Sequence, residues 1–200
     1  MTHSRFRAVE LLAALVLVGC SVPAGRSHPA PEPTATAMMN VDYPYYETVA
    51  DLAAKADLVV TVQIGGSRND ISRPLQSEET NPTRNPQAGV SPSGSPEETG
   101  IPITVYKAIV NAVHRGRVAA GDTIEIGLAG GTFGGTVYES NEARLNSGGT
   151  YLLFLTSLPG HPASVLGGDQ GAFVPNSAGG FTSIAGDRLS ADSATLAALR

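Results

Sequence analysis

Apolar and polar residues alternate with a period of two through much of the chain, a pattern typical of β-strands. In residues 58–64, LVVTVQI, every second side chain is aliphatic, which predicts a strand with one buried face. The segment TYLLFLT, residues 150–156, is apolar on both faces, as expected of a central strand. Further short strands are predicted at TIEIGL (123–128), ASVLGG (163–168), GAFVP (171–175) and GFTSI (180–184).

The longest predicted strand is IPITVYKAIVNAV, residues 101–113, and its alternation changes phase in the middle. Ile103 and Val105 share one face, whereas Tyr106 and later residues continue the apolar pattern on the other face. A β-bulge adds one residue to a strand and produces such a change of phase. We therefore expect a bulge near Lys107.

Two short helices are predicted, one at each end of the strand-rich region. Residues 47–56, ETVADLAAKA, carry apolar side chains at helical spacing. The C-terminal sequence SADSATLAALR follows the same pattern, with Ser190 or Asp192 as its N-cap. Many short strands joined by Gly-rich turns predict a mainly β fold, either a small sandwich or a barrel.

Two segments lack apolar patterning. Residues 20–42 are rich in Pro, Ala and Thr, and we interpret them as a flexible tether. Residues 65–100 are rich in Pro and polar side chains and are predicted to be a disordered insert, the alternative being a lid over a binding groove. The chain is thereby divided into a signal at 1–19, the tether, and a single β-rich domain at 43–200.

The first 19 residues have the composition of a secretory signal. Arg5 and Arg7 precede an uninterrupted apolar run from Leu11 to Val18. As a helix this run spans roughly 12 Å, against roughly 30 Å of bilayer hydrocarbon, so it is too short to cross a membrane. The run leads to Cys20, the only cysteine of the chain.

Residues Leu17-Val18-Gly19-Cys20 resemble the lipobox of bacterial lipoproteins. The resemblance implies that the Cys20 thiolate accepts a diacylglyceryl group, with N-acylation as an addition, and that cleavage falls between Gly19 and Cys20. Two acyl chains anchor a protein stably to a bilayer. The implied location is the extracytoplasmic face of the cell membrane, or the outer membrane in a Gram-negative source. An ordinary secretory signal with an unrelated cysteine is the alternative.

Composition narrows the range of partners and cofactors. The chain carries a net charge of −5, which disfavours a nucleic-acid partner. Once Cys20 is acylated, no thiol is left for a disulfide, a metal site or a nucleophile. The absence of tryptophan weakens the case for a sugar-stacking platform. No cofactor is predicted.

Three segments in order resemble bacterial lipoproteins with a netrin-like, or tissue-inhibitor-of-metalloproteinase-like, OB-type barrel. They are ADLVVTVQI, ITVYKAIVNAVHRGRVAAGDTIEI and LNSGGTYLLFL, within residues 45–157. The likeness is carried by Ala56–Val60, Arg115-Gly116 and Gly149–Phe154. It implies a small OB-like β-barrel with a short helix in front. Metalloproteinase inhibition is not expected, because a lipidated Cys20 lacks the free amine that chelates zinc in those inhibitors.

Candidate catalytic residues are few. His114 and His161 are the histidines of the β-rich region, and a hydrolase would use one of them with an unidentified serine or acid. No G-x-S-x-G elbow, H-E-x-x-H motif or cysteine pair occurs, so no catalytic residue and no metal ligand is assigned. The adjacent acids of the insert are interpreted as solvated charge: Glu78, Glu79, Glu97 and Glu98.

The predicted function is a membrane-anchored binding or interaction module, not an enzyme, with an envelope protein, peptide or glycan as its partner. The glycines of AGGTFGGT, residues 129–136, are interpreted as conformational, because no Lys-Ser/Thr follows them as in a phosphate loop. OB-type barrels bind through one strand face and adjoining loops. The candidate ligand-facing residues are Gly130, Gly131, Phe133, Tyr138 and Asp169. The alternatives are a cell-envelope hydrolase and a structural envelope protein.

Overall fold

The computed structural model describes residues 35–73, 81, 83–85, 88 and 100–199. Within these residues the fold is mainly β, which confirms the predicted class. The strands are β1 (Ala35–Met39), β2 (Leu58–Ser72), β3 (Ile101–Arg115), β4 (Thr123–Ala129), β5 (Gly131–Phe133), β6 (Thr136–Ser140), β7 (Thr150–Thr156), β8 (Ala163–Val165), β9 (Ala172–Pro175), β10 (Phe181–Ser183) and β11 (Ser190–Ala191). The helical segments are α1 (Val49–Lys55), a 3₁₀-helix (Gly168–Gly171) and α2 (Ser193–Ala197).

Five strands form a ring of hydrogen-bonded neighbours in the order β7-β2-β3-β4-β8, and β8 also pairs with β7. The strands β2, β3 and β4 are consecutive and antiparallel, and β7 returns beside β2, which is a Greek-key order. β8 lies parallel to β4 and antiparallel to β7. A five-stranded Greek-key barrel is the OB-type architecture. The structure therefore agrees with the predicted OB-like barrel, whereas the netrin-like affiliation stays a prediction.

The two faces of β7 enter two different hydrophobic clusters. Leu153 and Leu155 point into the ring, together with the aliphatic side chains of β2 that the alternation predicted to be buried. Leu152 and Phe154 point outward and pack beneath α1, whose Leu52 is buried in the same cluster. Because both faces of β7 are covered, the strand is apolar throughout.

At Lys107 the extra residue belongs to β2 and not to β3, whereas β3 carries extra residues further along, at Asn111 and His114. Ile64 of β2 pairs with Ala108, and Ser67 pairs with Tyr106, so two glycines of β2 oppose the single residue Lys107. A Cβ atom on Gly65 would lie 3.2 Å from the backbone oxygen of Lys107, which leaves little room for a side chain. The position along the ladder was therefore predicted correctly, but the strand that carries the extra residue was not.

Strand β2 continues to Ser72, well beyond the predicted end at residue 64. Residues 67–72 pair with the first half of β3, so this part of the predicted insert is ordered. The sequence SRNDIS, residues 67–72, does not show the apolar alternation that predicts a strand, because polar side chains lie on both of its faces. Most of the remaining insert, at 74–99, lies outside the described residues.

The described end of the predicted tether, residues 35–42, also differs from the prediction. Ala35–Met39 form β1, which pairs in parallel with β6, and β6 pairs with β5 to complete a three-stranded sheet. The glycines of residues 129–136 lie at the edges of this sheet, and Gly134 and Gly135 both have positive φ, of 57° and 79°. Their predicted conformational role is thus supported, although the segment contains a strand.

The C-terminal region follows the prediction closely. β9 and β10 are joined by the turn NSAGG, and β10 pairs with the short β11. α2 is N-capped by Asp192, whose Oδ1 accepts a hydrogen bond from the backbone N–H of Thr195 at 2.7 Å. Of the two predicted caps, Asp192 is correct, because Ser190 lies in β11.

Candidate ligand-binding groove

An open groove of about 550 Å³ lies on the outer surface of the ring. Its floor and walls come from β2, β3, β4 and the connection between β7 and β8. The lining residues are Arg68, Asp70, Ile71, Ser72, Arg73, Ile103, Glu125, Gly160, His161 and Pro162. In OB-type barrels, ligands bind on the face of the second and third strands, between the loops that follow the first and fourth. In chain order β3 and β4 are the second and third strands of the ring, and they contribute Ile103 and Glu125 to the groove, whereas four further lining residues come from β2.

Arg68 is held in place by two carboxylates on the rim of the groove. Its Nη2 donates to Glu125 Oε2 at 2.9 Å and its Nη1 to Glu125 Oε1 at 2.5 Å, while Nη2 also reaches Asp70 Oδ2 at 3.3 Å. The hydrogen bond from Arg68 lowers the pKa of Glu125 below its usual value, so Glu125 is ionised at neutral pH. The bidentate geometry fixes the orientation of a guanidinium, although exposed ion pairs stabilise a fold by only about 0–1 kcal/mol.

β3 contributes the apolar side chain of Ile103 to the groove, while Lys107, which pairs with Glu125 of β4, places a charge on the same face of β3. Cross-strand partners share a face, so Ile103, opposite Asp70, lies on the same side of the sheet as the ion pair. The same face carries Ile101 and Ile109, which are 54% and 48% exposed. The groove thus presents an aliphatic side chain next to fixed charges, which is complementary to a ligand that carries both apolar and charged groups.

The histidines that a hydrolase would use lie apart. His161 lines the groove, near Ile103 at the beginning of β3. His114 lies at the other end of β3, where its Nε2 is 2.9 Å from Thr61 Oγ1, a contact between neighbouring strands. The two imidazoles therefore belong to different surfaces, and only His161 borders the groove.

The predicted ligand-facing residues do not line the groove. Gly130 and Gly131 begin the small sheet, where Gly131 pairs with Tyr138. Asp169 lies in the 3₁₀-helix, and its Oδ1 accepts a hydrogen bond from the backbone N–H of Ala143 at 2.7 Å. Phe133 is 39% exposed and ends β5. These residues shape the side of the barrel next to β6, so their ligand role stays an untested prediction.

A partly buried carboxylate that the sequence did not reveal lies beside this small sheet. Glu142 Oε2 accepts from the backbone N–H of Ala129 at 2.7 Å, and its Oε1 accepts from the hydroxyl of Tyr43 at 2.6 Å. Burial raises the pKa of Glu142, and the charge of Asp169 adds to the effect, whereas the hydrogen bonds and Arg144 oppose it. Burial and the contact with Glu142 also raise the pKa of Tyr43. Glu142 therefore joins the N-terminal segment to the barrel.

We expect Glu142 to make the fold more stable relative to a Glu142→Gln variant as the pH falls. A carboxyl whose pKa is raised by folding contributes stability that is complete below its unfolded pKa, near the reference value of 4.5, and is lost as the pH rises through its folded pKa. Denaturant unfolding at several pH values from 7 to 4 measures the difference. Glu139→Gln, an exposed position on β6, controls for the loss of one carboxylate. A difference between wild type and Glu142→Gln that moves the other way would contradict the assignment.

Several predicted features lie outside the described residues, among them Gly19, Cys20 and the paired acids of the insert. Across residues 35–73 and 100–199, no group of three or more His, Cys, Asp or Glu side chains is arranged to hold a metal ion. No helix in the described part of the chain is long and apolar enough to cross a membrane.

The ring of strands is barrel-like, and the groove lies on its outer surface. Comparison with protein-family models, with curated proteins and with solved structures found no match to this chain.

Proposed function

We propose that the protein is a lipid-anchored binding module on the extracytoplasmic face of a bacterial cell membrane, and that its ligand occupies the groove beside Arg68 and Glu125. The observation that carries the proposal is the sequence Leu17-Val18-Gly19-Cys20 at the end of a short apolar run. A run of this length directs export without spanning the bilayer, and the cysteine at its end is the residue that a lipoprotein acylates.

The groove supports a polypeptide as the ligand. Its described lining contains two isoleucines, a proline and fixed charges of both signs, and none of these described residues is Phe, Tyr or Trp. Aromatic faces provide much of the affinity for stacked ring-shaped ligands, and this lining does not offer them. A peptide segment with an apolar side chain between charged ones complements Ile103 and the Arg68–Glu125 pair.

The hydrolase alternative has less support from the geometry. His161 borders the groove, but His114 lies at the far end of β3 and cannot assist it. A general base needs a nucleophile within about 2.6–3.2 Å. No serine hydroxyl is recorded within hydrogen-bonding distance of the His161 ring in the described part of the chain.

The anchor is tested by the substitution Cys20→Ser in cells supplied with a fatty acid that carries a clickable alkyne. We expect the wild-type protein to take up the label and Cys20→Ser to lose it completely, because serine lacks the sulfur that is acylated. Ser21→Ala, which changes the adjacent residue and keeps the thiol, is the matched control and should be labelled like wild type. An unlabelled wild-type protein, or equal labelling of Cys20→Ser, would refute the anchor.

The groove is tested by photo-crosslinking on intact cells. A photoreactive amino acid placed at His161 should capture a polypeptide partner, whereas the same residue at Ala178, exposed in the turn between β9 and β10, should not. Adding Arg68→Ala to the His161 probe should weaken the adduct, since the Arg68–Glu125 pair shapes the rim. Equal capture from both positions would show that the groove has no special role.

A further inference from the structure

The described part of the chain begins at β1, and the position of β1 is fixed by its pairing with β6. Ala35 begins β1 and pairs with Thr136, the first residue of β6. Thr136 also pairs with Phe133, the last residue of β5. Ala35, Thr136 and Phe133 therefore form one row across the small sheet, and neighbouring strands are about 4.8 Å apart. Phe133 thus lies roughly 10 Å from the residue at which the chain enters the fold.

The segment after β1 is attached to the rest of the fold by hydrogen bonds from Val41 and Tyr46. The backbone N–H of Val41 donates to Asn141 Oδ1 at 3.0 Å, and Asn141 Nδ2 donates to the Val41 carbonyl at 3.2 Å. Further along, the backbone N–H and carbonyl of Tyr46 pair with the side-chain amide of Gln170 at 2.8 and 2.7 Å. With the Tyr43–Glu142 bond, these contacts keep β1 in register beside β6.

The hairpin beside this entry point is uncharged and carries an exposed aromatic ring. Its sequence from 132 to 136 is TFGGT, and Phe133 is 39% exposed. Gly134 and Gly135 adopt positive φ, which favours a tight turn, and a Cβ atom on Gly134 would meet no other atom within 4 Å. All three residues of the hairpin tip, defined as residues 133–135, are exposed.

We propose that this hairpin tip contacts the lipid bilayer that holds the anchor, with Phe133 inserted at the membrane surface. The inference rests on the proposed acylation of Cys20. Only residues 21–34 separate the proposed acylation site at Cys20 from Ala35 along the chain. The end of the small sheet that carries Phe133 is thus the part of the described fold nearest to the bilayer along the chain. An exposed aromatic ring on a hairpin whose own sequence from 132 to 136 carries no charge is suited to the interface between headgroups and acyl chains.

The absence of tryptophan makes the test direct, because one substitution creates the only indole of the protein. The Phe133→Trp and Ile109→Trp variants are purified from membranes as full-length lipidated proteins and reconstituted in phosphatidylcholine vesicles, with and without brominated acyl chains. Ile109, 48% exposed, is the matched control, since it lies on β3 well away from the hairpin. We expect blue-shifted emission and strong quenching by brominated lipid for Phe133→Trp, and neither effect for Ile109→Trp.

The other outcomes have separate meanings. If both variants float with the vesicles but are equally unquenched, the anchor stands and the membrane contact of the hairpin is refuted. If neither floats with the vesicles, the anchor fails and the inference fails with it. A blue shift of Phe133→Trp that grows with protein concentration and is insensitive to brominated lipid would assign the tip to a second copy of the chain, which would also overturn the proposal.

Discussion

Replacing Phe154 by Ala is expected to destabilise the protein by about 3–5 kcal/mol. Phe154 is completely buried on the outer face of β7, and its ring lies 5.3 Å from the ring of Phe173, centroid to centroid. Removing the ring leaves a cavity under α1 that the strands around it cannot fill. Denaturant unfolding monitored by circular dichroism measures the change, with the slope of the transition checked for two-state behaviour.

The matched control for this substitution is Phe133→Ala. It removes the same side chain from a position that is 39% exposed at the tip of a hairpin, so the free energy of unfolding should change by less than about 1 kcal/mol. If Phe154→Ala cost no more than Phe133→Ala, the assignment of a second hydrophobic cluster beneath α1 would be wrong.

Replacing Gly130 by Ala is expected to cost about 2–3 kcal/mol. Gly130 has φ of +89°, a conformation that L side chains rarely adopt. A Cβ atom there would also lie 2.7 Å from the backbone oxygen of Tyr138 and 3.3 Å from the backbone nitrogen of Ser140. Both atoms belong to β6 and cannot move without disturbing the small sheet. Thermal or denaturant unfolding of the purified variant provides the measurement.

Gly66→Ala serves as the control for Gly130→Ala. A Cβ atom at Gly66 meets nothing within 4 Å, and its φ lies outside the positive range. Its substitution should therefore leave the free energy of unfolding nearly unchanged. A comparable loss at both positions would show that an added methyl group destabilises the fold without backbone strain, which would contradict the explanation given for Gly130.

The ring of strands was predictable because its members alternate cleanly or are apolar throughout. Leu58, Val60 and Val62 point inward as the period of two requires, and β7 is apolar on both faces because α1 covers its outer side. The strands that were missed carry no such pattern. β1 and β5 are short and rich in Ala, Thr or Gly, and they are held by pairing with β6 and not by a buried face.

The groove could not be predicted because its residues meet only through the fold. Arg68 lay in a segment taken for a disordered insert, and its partner Glu125 is contributed by β4, on the far side of β3. Arg68, Asn69 and Asp70 are consecutive in β2 and all polar, so the alternation of their side chains between the two faces gives no apolar pattern in the sequence. Glu142 likewise had no signal, since its burial depends on Tyr43 reaching it from the N-terminal segment.

The ligand-facing residues chosen from the sequence illustrate a related limit. Gly130 and Gly131 are candidates because OB-type barrels bind through one strand face and adjoining loops, and the positive φ of both residues, with the close approach of β6 to Gly130 and of β2 and β3 to Gly131, agrees with the conformational role also predicted for them. Sequence reasoning identified the residue type correctly and could not decide between turn geometry and ligand contact. The distances to Tyr138 and Asn69 explain why glycine is required at these positions, and the ligand role stays an untested prediction.

Intact mass spectrometry of the protein extracted from its native membrane tests the anchor most directly. The account predicts a mature chain that begins at Cys20 and carries the mass of a diacylglyceryl group, with or without an additional N-linked acyl chain. A chain of unmodified mass with a free sulfhydryl, or one cleaved at a different residue, would contradict it. The proposed location at the membrane would then be wrong, and the inference about Phe133 would be wrong as well.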